Sequence, residues 1–96
     1  MKMYNPPHPG EFIQEIFLEP YNLSLRMVAA KLKVSTSTLS RLVNGQSSVT
    51  SEMALRLSKT LGRSPESWLI MQNNYGLWQA QKRVNLQEVE KLTLIG

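Results

Sequence analysis

The chain reads as an all-α protein of five helices. Three observations carry that reading. No segment alternates apolar and polar residues well enough to make a strand. Successive stretches instead repeat apolar residues at i, i+3, i+4 spacing, each opened by Ser, Thr or Pro, and three of the five closed by Pro, Asn or Gly. At 96 residues and 42% hydrophobic, the chain can bury one core, and residues 1–96 are read as one domain.

The first eight residues, rich in Asn and Pro, are expected to form an extended arm with His8 exposed to solvent. A first helix starts at Pro9, where the missing N–H costs nothing. Phe12, Ile13, Ile16 and Phe17 are expected to face inward, and Glu11, Glu15 and Glu19 outward at i, i+4, i+8. Pro20 ends this helix. Ser24 caps the second, whose Leu25, Val28, Ala29 and Leu32 form an apolar stripe. Ala29 is small where a crossing helix would come close. After the short connection Lys33-Val34, Ser35 caps a third helix running to about Val43. Asn44-Gly45 stops it, with Gly45 free to turn left-handed.

Gln46 to Val49 reads as a polar loop. Thr50 caps a fourth helix to about Leu61, with Met53, Ala54, Leu57 and Leu61 inward. Arg56, Lys59 and Arg63 are left outward or toward its C-terminal end, where cations are favoured. Gly62 closes it, and Ser64-Pro65-Glu66 restarts a fifth helix that carries Trp68, Leu69, Met71, Tyr75 and Trp78 to about Lys82, despite Gly76. The tail from Val84 is expected to be a short helix or an extended arm. Residues 24–45 thus form a two-helix unit, and 64–96 a helix and tail suited to dimerisation.

Composition narrows function. The net charge of +4 and pI near 9.7 favour anionic partners. With no cysteine, disulfides and thiolate metal sites are excluded, which fits a reducing cytoplasm. With one histidine and no aspartate, a Ser-His-Asp triad cannot be built, and no metal or cofactor is expected. A hydrolase is therefore the weaker reading. No apolar run approaches the roughly 18 residues of a membrane span.

The distribution of charge is more specific than its total. From Pro20 to Ser51 there is no acidic residue, while Arg26, Lys31, Lys33 and Arg41 are basic. At about 100° per residue, Thr36, Ser40, Asn44, Ser37 and Arg41 share one arc of about 140° on the third helix. Leu39, Leu42 and Val43 fall opposite, and Thr38 lies between. Short hydroxyl side chains at a helix start allow close approach to base edges in a major groove. Arg41 suits guanine or phosphate, and Arg26, near the start of the second helix, suits phosphate. A solvated polar face would show the same Ser and Thr, but not the absence of acids. Trp68, Tyr75 and Trp78 are read as core or dimer contacts, and the Glu11, Glu15, Glu19 row as a solvated face or a dock for a basic partner.

The run LSLRMVAAKLKVSTSTLSRLVNGQ resembles the phage-repressor-like helix-turn-helix of the Cro/C1 (XRE) type. Leu25 stands where that family often has glutamine, and Lys33 where it often has glycine. HPGEFIQEIFLEP, STLSRLVNG and TSEMALRLSKTLGRSPESWLIMQNNYGLWQAQ, in that order, resemble the HigA antitoxin family, also called virulence-associated protein I. Gly76 departs from the polar residue often seen there. The resemblance implies a lambda-repressor-like fold. It also implies a homodimer that binds a palindromic operator in double-stranded DNA, represses its own operon, and neutralises a HigB-like toxin that cuts messenger RNA. By motif position, Thr36, Ser37, Thr38, Ser40 and Arg41 would face the groove, with Ser35 and Asn44 flanking them. A stand-alone XRE-type repressor without a toxin partner is the alternative.

Overall fold

The computed structural model describes residues 5–94. Among them are five α-helices and no strand: α1 (Pro9–Ile13), α2 (Leu25–Leu32), α3 (Thr36–Val43), α4 (Ser51–Leu61) and α5 (Pro65–Arg83). A π-helical turn (Gln14–Leu18) continues α1, and a 3-10 turn (Leu86–Glu88) interrupts an otherwise extended tail. Residues 1–4, half of the expected N-terminal arm, lie outside the described residues.

Local chemistry sets most boundaries. Ser24, Ser35, Thr50 and Ser64 each accept a bond from the backbone N–H three residues on, so each satisfies one orphan donor of its helix. Pro9 and Pro65 occupy first positions. At the end of α3, Gly45 takes φ 76°, and Gln46 N–H donates to the Arg41 carbonyl at 2.8 Å. Lys33 closes α2 in the same left-handed region, at φ 62°, and Val34 N–H returns to the Ala29 carbonyl at 3.1 Å. The turn keeps its shape without the usual glycine, at the steric cost a Cβ carries there.

One core joins the five helices. Ile13, Leu18, Val28, Ala29, Leu32, Leu39, Leu42, Val49, Ala54, Leu57 and Trp68 are its buried apolar residues. Trp68 is fully buried, donates its indole N–H to the Gly62 carbonyl at 3.0 Å, and meets Phe12 edge-on. Arg63 lies 5.0 Å above the Phe12 ring and covers that corner. On the other side of α1, Gly10 lies against α3: a Cβ there would collide with the Leu42 carbonyl and come within 2.8 Å of the Val43 Cα. Only glycine allows the two backbones to touch.

Four expectations require correction. Ile16 is exposed, and Leu18 is buried in its place. The i→i−5 bond from Glu19 N–H to the Gln14 carbonyl adds a residue to the turn and slips the inward register. Val49 is buried rather than part of a polar loop, with its N–H held by Gln72 Oε1 at 2.8 Å. Arg56 is no free surface cation: it pairs with Glu52 at 2.8 Å and donates to the Leu32 carbonyl at 2.8 Å, capping the end of α2 from α4. His8 is buried, at 6% exposure, rather than exposed to solvent.

Candidate nucleic-acid interface

The surface of interest is built by α2, the Lys33 turn and α3. Leu39 and Leu42 anchor α3 in the core, as the apolar arc requires, and this turns the opposite arc outward. Thr36, Ser37, Arg41 and Asn44 are exposed, and Thr38 and Ser40 half-buried. The structure therefore brings the sequence-derived set onto one side of α3.

The hydroxyls at the helix start form a small network. Ser35 Oγ accepts from Thr38 N–H at 3.1 Å, donates to Thr38 Oγ1 at 2.8 Å, and lies 3.2 Å from Ser37 Oγ. Ser35 and Thr38 are thus engaged in shaping the turn, whereas Thr36 has an open hydroxyl and methyl. Asn44 Nδ2 reaches Ser40 Oγ at 3.4 Å.

The cations on this surface are uncompensated. Among the described residues the one ion pair is Arg56 with Glu52, so Arg26, Lys31, Lys33 and Arg41 have no carboxylate partner. All four are exposed. Nothing internal competes with a phosphate for them.

A helix-turn-helix family model matches residues 13–68. YddM, an uncharacterised HTH-type transcriptional regulator of Escherichia coli K12, is 44% identical over 92 residues, which are 96% of this chain and 97% of that protein. The Pseudomonas aeruginosa antitoxin HigA, solved with the higBA promoter, superposes with TM-score 0.80 at 32% identity, over 92% of this chain and 99% of that one. The chain belongs to the helix-turn-helix family of HigA antitoxins. Antitoxin GraA in complex with its operator superposes on this HigA-family chain with TM-score 0.86 at 31% identity, over 98% of each.

The other sequence-derived residues of this HigA-family protein fall elsewhere. Glu11, Glu15 and Glu19 are all exposed, on α1 and the π turn, and Glu19 accepts from Gln14 Nε2 at 3.1 Å. Of the three aromatic residues offered as dimer contacts, Trp68 must be withdrawn, because its buried ring has no surface left for a partner. Tyr75 and Trp78 are half-buried on α5, with Lys82 Nζ 3.8 Å above the Trp78 ring.

His8, expected in solvent, is instead a buried structural residue. Its Nδ1 accepts from Gly10 N–H at 2.8 Å, so it is the N-cap of α1. Its Nε2 reaches the Ser47 carbonyl at 3.0 Å, and Tyr75 meets its ring edge-on at 4.9 Å. Burial pushes the imidazole below its ordinary pKa, against smaller upward pulls from the Ser47 bond and Glu11. A polar side chain just before Pro-Gly at a helix start was the available signal for the cap. The bond to Ser47, 39 residues away, had none. No group of three His, Cys, Asp or Glu side chains that could hold a metal occurs among the described residues.

Proposed function

We propose that the chain is the antitoxin of a toxin–antitoxin pair. As a symmetric dimer, it binds the operator of its own operon and neutralises a HigB-like toxin that cleaves messenger RNA. The observation that carries the DNA-binding half is the exposed arc of α3, with Arg41 unpaired inside a 20–51 span free of acids. The promoter and operator complexes of the similar antitoxins support it. Thr36, Ser37, Ser40 and Arg41 face base edges, Asn44 flanks them, and Ser35 and Thr38 shape the entry of the helix. Arg26 contacts phosphate.

Dimerisation falls to α5 beyond Trp68, including Tyr75 and Trp78, and to the tail. The Glu11, Glu15, Glu19 row faces the basic toxin. The protein acts by binding rather than catalysis, in the cytoplasm. Among the described residues, no helix is long and apolar enough to cross a membrane.

The test is a gel shift on the DNA upstream of the gene, with and without the neighbouring gene product. We expect a shift that the same fragment competes away and unrelated DNA does not, and copurification of a small basic partner. No shift on any upstream fragment would refute operator binding. A shift without a copurifying toxin would favour the stand-alone repressor.

A further inference from the structure

His8 is the one buried polar or charged side chain among the described residues, and the interface above makes no use of it. Its two contacts fix its chemical state. A backbone N–H can only donate, so Nδ1 must present its lone pair to Gly10. A carbonyl can only accept, so Nε2 must carry the proton toward Ser47. Only the neutral ring with hydrogen on Nε2 satisfies both.

This ring ties the α3–α4 loop to the start of α1. Ser47 is held by His8, and Val49 is held by Gln72 from α5 at 2.8 Å. Gly45 packs against the imidazole: a Cβ there would lie 3.9 Å from its ring. Between these ties Gln46 and Ser48 are exposed. They lie two and four residues beyond Asn44 and fall within the acid-free span that ends at Ser51.

We propose that His8 is a positioning residue for DNA binding: it holds the Gly45–Ser48 loop so that Gln46, Ser48 and the C-terminal end of α3 meet the phosphate backbone together. The proposal rests on the operator-binding reading. It also makes the loop sensitive to acid, because a second proton must go to Nδ1, facing the Gly10 N–H. Glu11 on α1 favours that cation. From α5, Arg83 lines the same small cavity, and the Tyr75 hydroxyl is held by Gln79 at 2.9 Å. The loop itself brings no charged group. Because the folded pKa lies below the unfolded one, this contribution to stability is complete above the ordinary histidine value near 6.5. It is lost as pH falls from there through the folded value.

The experiment compares wild type, His8→Gln and His8→Asn in operator titrations at pH 7.5 and 5.5, with amide exchange at Gln46 and Val49. The Gln amide reaches the position of Nε2 and can donate to Ser47. The Asn amide reaches only the position of Nδ1, so it caps Gly10 but leaves Ser47 free. We expect His8→Asn to bind operator about 5- to 10-fold more weakly, the equivalent of one hydrogen bond, with faster exchange at both amides. His8→Gln should stay within about twofold of wild type at pH 7.5 and, unlike wild type, lose no affinity at pH 5.5 through this site. Equal affinity, exchange and pH response in all three would overturn the proposal. Should His8→Asn not fold, the pH contrast between wild type and His8→Gln decides. If none of the three shifts operator DNA, the operator reading is what fails, and the exchange contrast then decides the clamp.

Discussion

Arg41 leaves α3 with no carboxylate to hold it, and it projects from the face that the buried Leu39 and Leu42 turn outward. Its removal should cost binding and leave folding alone. Arg41→Ala is expected to weaken operator binding by about 1–3 kcal/mol if it reads a base, with stability within about 0.5 kcal/mol of wild type. Isothermal titration and a thermal melt check both. Loss of equal size on every sequence, with a shallower salt dependence, would assign it to phosphate instead. At this scale the face of α3 was legible because helical periodicity sorts its side chains without outside help. His8 and Arg56 were not, since each is defined by a carbonyl far away in sequence, at Ser47 and Leu32. No local pattern announces such a partner.

Among the elements, the four hydroxyl caps and both helix-opening prolines could be read in advance, because a cap is a contact between residues three apart. The π turn could not. Its sequence, Gln14–Leu18, is ordinary helix former, and the extra residue is accommodated because it buries Leu18. The α2–α3 turn is legible in a different sense. Lys33 stands where a left-handed residue is needed, and the turn forms regardless, held by Val34 N–H on Ala29 and by Arg56 on the Leu32 and Lys33 carbonyls. Lys33→Gly should therefore stabilise the protein by about 0.5–1 kcal/mol, the left-handed penalty less the added chain entropy. Urea denaturation would show it as a higher midpoint at unchanged slope. A lower midpoint would mean that the lysine stem packs more than its exposure suggests.

The whole molecule is elongated, 56 × 27 × 21 Å, because the far half of α5 and the tail extend beyond the core. Leu77, Val84, Leu86, Val89, Leu92 and Leu94 are exposed there, more apolar surface at one end than a monomer needs to show. Two copies joined at that end could present their α3 helices to successive major grooves about 34 Å apart. Leu77 makes a clean test because it is 59% exposed, so Leu77→Glu should leave the fold of one copy intact. We expect sedimentation at micromolar concentration to give half the mass of wild type, with weaker operator binding. An unchanged mass would remove this face of α5 from the interface. Periodicity hinted at this end only weakly, because the aromatic residues of α5 divide between core and surface in a way their spacing does not reveal.

The contact between Gly10 and the Leu42 carbonyl bears on how a signal would cross the molecule. Most helix pairs are separated by side chains that can change rotamer and absorb a small displacement. Here backbone meets backbone, with no such cushion. Glu11, the next residue after Gly10, belongs to the acidic row, and Leu42 lies one residue from Arg41 on α3. A partner gripping that row would therefore press on α3 with nothing to yield between them: α1 cannot move toward α3 without displacing its C-terminal end.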